Sequence, residues 1–312
     1  MIRSEAHSKY WAEEESLELP ETGQWTMVWR RFRHHRVAVF GVFVIVAFFL
    51  LAILAPWIAP YPPDKIDLLH TFGSSTSEHW LGTDDLGRDA LTRLLYAARI
   101  SLLTAVSATV LSTIVGVTVG AIAGYNRGWI ETILMRFTDL MLTLPTLPLL
   151  LIFSKMLRDL PALQQAFGQA LSVMVIVGVL TIFGWMQVAR LVYGSVLSLQ
   201  EREFTVAARA VGASGWQIIF RHLIPNSMAP IIVAVTLGLG ARIVLEASLS
   251  FLGLGIMPPT PSWGNMLTGA QAYIWRNPFL AFYPGMCIFL IVLAVNFVGD
   301  ALRDALDPRL RL

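Results

Sequence analysis

The residues that could carry chemistry are few, and their types and spacing form no catalytic set. The sequence has no HExxH pair for zinc, no GxSxG nucleophile and no P-loop. Its lysines, Lys9, Lys65 and Lys155, never stand in the GK[ST] context that a nucleotide-binding loop requires. One cysteine, Cys287, is too few for a disulfide framework or a cysteine-based zinc site. We therefore expect no enzymatic activity, metal or cofactor on this chain, and any ATP that it uses must be hydrolysed by another chain.

Two ionisable residues lie inside one strongly apolar stretch, where a charge is expensive and is a functional candidate by default. Arg242 and Glu246 are four residues apart, so on a helix they share one face and can neutralise each other. Direct contact with a transported solute is the alternative role. The sequence therefore predicts an intramembrane pair and leaves both roles open.

A cluster of acids precedes another apolar stretch. Asp84, Asp85 and Asp89 have the composition of a calcium site, but their register does not fit an EF-hand loop. Thr83 as a helix N-cap, with acids in the first turn, is the simpler account. We therefore predict that a helix begins at Thr83.

The elements that must position these residues are membrane helices. Of the 312 residues, 55% are hydrophobic and only 14% are charged, whereas a soluble domain carries about 25% charged residues. About 20 consecutive apolar residues span a bilayer. Stretches of that kind predict an all-α polytopic membrane protein with about six spans, at residues 37–59, 100–124, 132–153, 171–193, 228–249 and 280–300.

The distribution of basic residues orients these spans. Arg30 and its neighbours up to Arg36 stand just before the first span, which places the N-terminus in the cytoplasm. An even number of spans then returns the C-terminus to the same side. Pro145 and Pro148 interrupt the third span and predict a kink there.

Residues 1–36 precede the first span and begin with a polar stretch that has no signal-peptide pattern. Apolar side chains then recur at i, i+3, i+4 and i+7, with arginines on the other side. This pattern predicts a short amphipathic helix in the membrane interface, or alternatively a helix packed against its own protein. The apolar set is Trp25, Val28, Trp29 and Phe32.

Residues 203–226, EFTVAARAVGASGWQIIFRHLIPN, lie between two apolar stretches and predict two short helices. Gly212 fits the left-handed position that ends a helix, and Ser214 with Gln217 matches a capping box that begins the next one. Pro225 predicts the end of this second helix. Its apolar stripe, at i, i+3, i+4 and i+7, is predicted to be Trp216, Ile219, Phe220 and Leu223.

This segment resembles the EAA loop, E-A-A-x3-G-x9-I-x-L-P, of the permease subunits of binding-protein-dependent ABC importers. Ala207-Ala208, Gly212 and Pro225 match the pattern, whereas Val206 stands in place of its Glu. Three other stretches, LGTDDLGRDALTRLLYAARISL, ASLSFLGLGIMPPTPSWGNML and GDALRDALDPRLR, resemble the second permease subunits (the DppC/OppC type) of dipeptide, oligopeptide and nickel importers.

The resemblance implies a type I ABC importer transmembrane domain in the cell inner membrane, with membrane lipid around it and no nucleic-acid partner. It implies a second homologous permease subunit, two cytosolic P-loop ATPases that carry ATP and Mg²⁺, and an extracytoplasmic solute-binding protein. ATP-driven closure of the ATPases would push on the loop and drive alternating access. The residues implied to contact the ATPases are Glu201, Glu203, Ala207, Ala208, Arg209, Gly212, Ala213, Ser214, Arg221 and Pro225.

Peptides are the solute that this resemblance favours, and nickel or another small solute is the alternative. An ion-coupled secondary transporter is the alternative from a different class, although the sequence shows no convincing inverted repeat. The predicted regions are a cytoplasmic tail with the interfacial helix (1–36), the first span and an outer loop (37–99), the permease transmembrane domain (100–303, with the coupling loop at 198–226) and a cytoplasmic tail (304–312).

Overall fold

The computed structural model describes residues 24–306, and within that range the fold is all-α, as predicted. The predicted tails at 1–23 and 307–312 lie outside the described residues. A π-helical turn, Ile219–Leu223, joins two of the α-helices. The α-helices in chain order are α1 Gln24–His34, α2 Arg36–Ile58, α3 Ala90–Asn126, α4 Trp129–Thr143, α5 Thr146–Arg158, α6 Pro161–Phe167, α7 Leu171–Ile182, α8 Met186–Leu199, α9 Glu203–Ala210, α10 Gly215–Ile218, α11 Ile224–Asn226, α12 Met228–Phe251, α13 Trp263–Gln271 and α14 Phe279–Leu306.

Between residues 24 and 306, five helical stretches are long and apolar enough to cross a membrane, and a bent pair can supply a sixth. The predicted spans at 37–59, 100–124, 228–249 and 280–300 correspond to α2, α3, α12 and α14. The bent pair is α4 and α5, which meet at an angle of 94°. The kink predicted from the prolines is therefore present, and Pro145 is the N-cap residue of α5.

The predicted span at 171–193 is interrupted. It lies within the candidate span Pro161–Leu199, but residues 183–185 form a turn between α7 and α8. Gly184 lies in this turn, and a Cβ there would come within 2.8 Å of the Arg242 guanidinium. This break therefore leaves space for the Arg242 side chain of α12.

Asp84, Asp85 and Asp89 lie in the loop that precedes α3. Asp89, not Thr83, is the N-cap of α3, because the Asp89 carboxylate accepts from the Thr92 N–H at 2.8 Å. The predicted helix start at Thr83 is therefore wrong, and the Thr83 hydroxyl instead donates to the carbonyl of His70 inside the loop. Asp84 accepts from the Arg88 side chain at 2.7 Å. Among residues 24–306, no group of three or more acidic, His or Cys residues is placed to hold a metal.

Three glycines let α3 and α8 pack closely. Gly116, Gly120 and Gly124 recur every four residues on one face of α3, and a Cβ on each would meet α8 or its N-terminal turn at 2.4–2.8 Å. Small residues at this spacing allow membrane helices to approach backbone to backbone. At the end of this contact, Gln200 donates from Nε2 to the Gly124 carbonyl at 2.5 Å. The position of the chain after α8 is thereby fixed against α3.

The short helix α1 packs against its own protein. Phe32 is buried with Ala38, Val298, Ala301 and Ala305, which belong to α2 and to the end of α14. This contact supports the packed-helix alternative for this face of α1. The membrane-interface location stays a prediction.

Candidate functional site

The first half of the site is α9 and the turn that ends it. Gly212 has a φ of +87°, a conformation that glycine adopts without the steric penalty of a Cβ. The Ala213 N–H donates to the Ala208 carbonyl and the Gly212 N–H to the Arg209 carbonyl, both at 3.1 Å. These two bonds are the Schellman pattern that terminates a helix. The predicted helix end at Gly212 is confirmed.

The second half begins at a capping box, also as predicted. The Ser214 hydroxyl accepts from the Gln217 N–H at 3.4 Å, and the Gln217 side chain accepts from the Ser214 N–H at 2.8 Å. The helix ends at Asn226, one residue after the predicted stop at Pro225. Proline lacks an N–H and disturbs the preceding helical turn. The π-helical turn Ile219–Leu223, immediately before, accommodates it.

The π-helical turn also divides the predicted apolar stripe. Ile219 and Leu223 are buried with Ile218 against α3 and α8. Trp216 and Phe220 are instead 60% exposed and stack on each other, with ring centroids 5.7 Å apart. The prediction of one continuous stripe is therefore wrong, because the face that packs includes Ile218 and excludes both aromatic rings.

The outward surface of residues 203–226 combines small, apolar and charged side chains, and we call it the coupling surface. Ala207 and Gly212 lie on it, with Val211 88% exposed between the two helices. Ala208 and Ala213 are half-buried at its base. The other predicted contact residues that are exposed are Glu203, Arg209, Ser214, Arg221 and Pro225.

Residues at the C-terminal end of α3 contact this surface and the residue before it. Glu201 is exposed and forms an ion pair of 2.9 Å with Arg127, just after α3. The Arg209 guanidinium lies 5.8 Å from the centre of the Tyr125 ring. A Cβ on Gly215 would come within 2.8 Å of the same ring. Sequence reasoning missed Arg127 and Tyr125, since both are far from the segment along the chain.

Arg242 and Glu246 lie on one helix but do not pair. Within residues 24–306, no ion pair joins them. The Arg242 guanidinium donates to Ser112 Oγ at 2.5 Å, to the Gly184 carbonyl at 2.8 Å and to the Gly238 carbonyl at 3.0 Å. The predicted mutual neutralisation is therefore wrong, because the Arg242 guanidinium bonds these neutral groups and not the Glu246 carboxylate.

Glu246 is fully buried in a network of hydroxyl groups. Ser101 of α3 and Ser250 of α12 donate to its two carboxylate oxygens at 2.9 and 2.7 Å. Ser101 also accepts from the Trp263 N–H at 3.2 Å, and Ser250 from the Ile256 N–H at 2.9 Å. The carboxylate thus joins α3 and α12 to the loop that contains α13.

A cavity of about 1310 Å³ lies beside α8 and α12. Arg202, Asn226 and Arg303 line it near the coupling surface, and Gly184 and Arg242 line it deeper in the bundle. On α12 its wall consists mainly of small and aliphatic side chains. The cavity therefore links the end of the bundle that carries the coupling surface to the buried arginine.

This fold is that of a transport permease. Residues 116–312 match the family described as "Binding-protein-dependent transport system inner membrane component", which covers more than half of the chain. Residues 23–73 match "N-terminal TM domain of oligopeptide transport permease C". The chain belongs to the family of binding-protein-dependent inner-membrane permeases, as the sequence resemblance predicted. It is a multi-pass membrane protein and a permease subunit of an ABC transporter.

Relatives cover nearly the whole chain. The dipeptide transport system permease protein DppC of Alkalihalophilus pseudofirmus is 41% identical over 287 residues, which are 92% of this chain and 90% of the relative. The oligopeptide transport system permease protein OppC of Bacillus subtilis is 36% identical over the same shares of the two chains. The glutathione transport system permease protein GsiD of Pectobacterium atrosepticum is 37% identical over 92% of each.

Proposed function

We propose that this chain is one of two permease subunits in an ATP-driven importer of dipeptides or oligopeptides. The coupling surface carries this proposal. It presents a rigid helix–turn–helix at the end of the bundle, with small residues at its bend and no side chain over Gly212. Such a bend fits closely into the surface of another protein, because Ala207 and Gly212 keep that surface near the backbone.

The partners are a second permease, two cytosolic ATPases that bind ATP and Mg²⁺, and an extracytoplasmic solute-binding protein. The coupling surface and both termini then face the cytoplasm. Closure of the ATPases moves α9 and α10, and the buried face of Ile218 and Leu223 transmits this movement to α3 and α8. The spans re-pack as a result, so that the solute path opens on one side and closes on the other.

Short peptides are the proposed solute because relatives across nearly the full chain carry the names of dipeptide and oligopeptide permeases. Nickel is less favoured, since the described residues bring no group of His, Cys or acids together for a metal. Ion-coupled secondary transport is also less favoured, because this family depends on a binding protein.

The test is ATP-dependent uptake of a labelled dipeptide into proteoliposomes that contain the complex co-purified with this chain. ATP is enclosed, and the solute-binding protein and peptide are added outside. Uptake that requires both ATP and the binding protein supports the proposal. Uptake driven by an ion gradient without ATP would contradict it and establish secondary transport.

The coupling role is tested by Ala207→Asp, which puts a charge on the small-residue bend. We expect at least a tenfold loss of ATP-dependent uptake, with normal amounts of the protein in the membrane. Val206→Glu is the matched control, because it adds the same charge one residue earlier, where the related loops carry Glu. Wild-type uptake by Ala207→Asp would refute the coupling role.

A further inference from the structure

Arg242 is a buried cation without an anionic partner. The residue is 8% exposed, and among residues 24–306 no carboxylate forms an ion pair with it. Its hydrogen bonds go to two carbonyls and one hydroxyl, all of them neutral. Its Nε–H finds no hydrogen-bond acceptor in the described part of the chain. A guanidinium in this state keeps most of its charge available for an anion.

Two glycines create the space that holds the guanidinium. A Cβ on Gly238 would lie 2.6 Å from Nη1, and one on Gly184 would lie 2.8 Å from Nη2. Gly184 also interrupts the helix between α7 and α8, and its carbonyl accepts one of the guanidinium hydrogen bonds. The fold therefore shapes a cradle for this cation from two separate elements. An apolar side chain in the same place could fill this space equally well, so packing does not explain why the residue is an arginine.

The cradle lies on the wall of the large cavity. Arg242 stands fourteen residues after Met228, the first residue of α12, or about 21 Å along the helix at 1.5 Å per residue. Arg202 and Arg303 line the cavity near its other end, and no Asp or Glu is among its described lining residues. The charged side chains among these described lining residues are therefore all basic, and they lie at the two ends of the cavity.

We propose that Arg242 binds the carboxylate of the peptide while the peptide occupies this cavity. This inference rests on the proposed function, because a free peptide carries a carboxylate at its C-terminus. A guanidinium presents parallel N–H donors that match the two oxygens of a carboxylate. Nε is shielded in the present conformation, so engagement requires the guanidinium to turn toward the cavity. The unpaired Nε–H favours that movement because the carboxylate supplies its missing acceptor.

The test supplies peptide to the cavity from the cytoplasmic side, where the solute-binding protein cannot contribute to peptide selectivity. Proteoliposomes are prepared with ATP and an unlabelled dipeptide inside, and the initial uptake of labelled dipeptide is measured. The internal peptide is either the free acid or its C-terminal amide. We expect the acid to inhibit at a concentration roughly tenfold lower than the amide, the difference that one charge-assisted hydrogen bond supplies.

In Arg242→Gln, the acid and the amide should inhibit equally, whereas Arg242→Lys should keep part of the preference. Arg99→Gln is the matched control, since Arg99 is exposed on α3 and does not line the cavity. It should keep the full preference. Equal inhibition in the wild type, or an unchanged preference in Arg242→Gln, would overturn the inference.

Co-purification of the other subunits reports whether Arg242→Gln assembles. If it does not, Gly238→Ala displaces the guanidinium while keeping the arginine, and it should lose the preference. Failure of both variants to assemble would show a purely structural arginine and would overturn the inference. Absence of ATP-dependent peptide uptake by the wild-type complex would instead refute the proposed function itself.

Discussion

The close contact between α3 and α8 makes a definite prediction for Gly120→Ala. The new methyl group would lie 2.4 Å from the Ala189 carbonyl oxygen and 2.9 Å from Val192 Cβ. An ordinary contact at this site needs about 3.4 Å, so the two helices would have to separate by roughly 1 Å. The nearest obstacle is a backbone atom, which no rotamer change can remove.

Two opposing terms set the size of the effect. Replacing glycine by alanine inside a helix is favourable by up to about 1 kcal/mol. Overpacking a tight site costs about 1–3 kcal/mol, and a rigid backbone obstacle places Gly120 at the upper end. We therefore expect Gly120→Ala to lower the free energy of unfolding by about 2 kcal/mol.

Gly178→Ala in α7 is the matched control, because nothing lies within 4 Å of a Cβ built there. It should be neutral or stabilise by up to about 1 kcal/mol. Thermal unfolding of the purified complex in mild detergent measures the stability of both variants. Peptide uptake reports whether the helix contact also affects transport. Equal melting temperatures for the two variants would refute this account of the helix contact.

Two further predictions concern the coupling surface and the buried carboxylate. Gly212→Ala should destabilise the turn by about 1–2 kcal/mol, because its φ of +87° is strained for a residue with a Cβ. The peptide imported per ATP hydrolysed should fall, less so in Gly212→Asn, and an unchanged ratio in Gly212→Ala would contradict the role of the turn. Glu246→Leu should cost about 1–3 kcal/mol for each hydroxyl left unpaired and abolish assembly, measured by co-purification of partner subunits. Glu246→Gln keeps an acceptor and should assemble, and equal recovery of both variants would show that the network is dispensable.

Local sequence signals predicted the helix end and the helix start within residues 203–226 well. A glycine that follows a short run of helix formers, and a serine three residues before a glutamine, act through bonds within about five residues of the chain. Gly212 and the capping box of Ser214 are therefore visible without any tertiary information. The same holds for the break before Pro145, since proline imposes its own constraint on the backbone.

The α-helical periodicity predicted the wrong packed face at the π-helical turn Ile219–Leu223, where the number of residues per turn changes. An α-helical period places Trp216, Ile219, Phe220 and Leu223 on one face, but the π-helical turn inserts an extra residue per turn there. The rings consequently face outward while Ile219 and Leu223 remain buried. The sequence pattern did not predict this turn, which lies immediately before the helix that contains Pro225.

The roles of Arg242 and Glu246 were also beyond sequence reasoning. Spacing showed that both share a face of α12, but the partners that join them to other elements are distant in the chain. Ser112 is 130 residues from Arg242, and Ser101 is 145 residues from Glu246. Only the packing of α3 against α12 shows that Ser101 bonds Glu246 and Ser112 bonds Arg242.

These distant partners have a consequence for the biogenesis of the protein. An ionisable group near the centre of an isolated span opposes membrane insertion by roughly 2.5–3.5 kcal/mol, and α12 carries two of them. Their partners Ser101, Ser112 and Gly184 belong to segments that the ribosome synthesises earlier. Helix α12 is therefore synthesised after the groups that solvate its charges, and we expect its integration to be less efficient when α3 is absent.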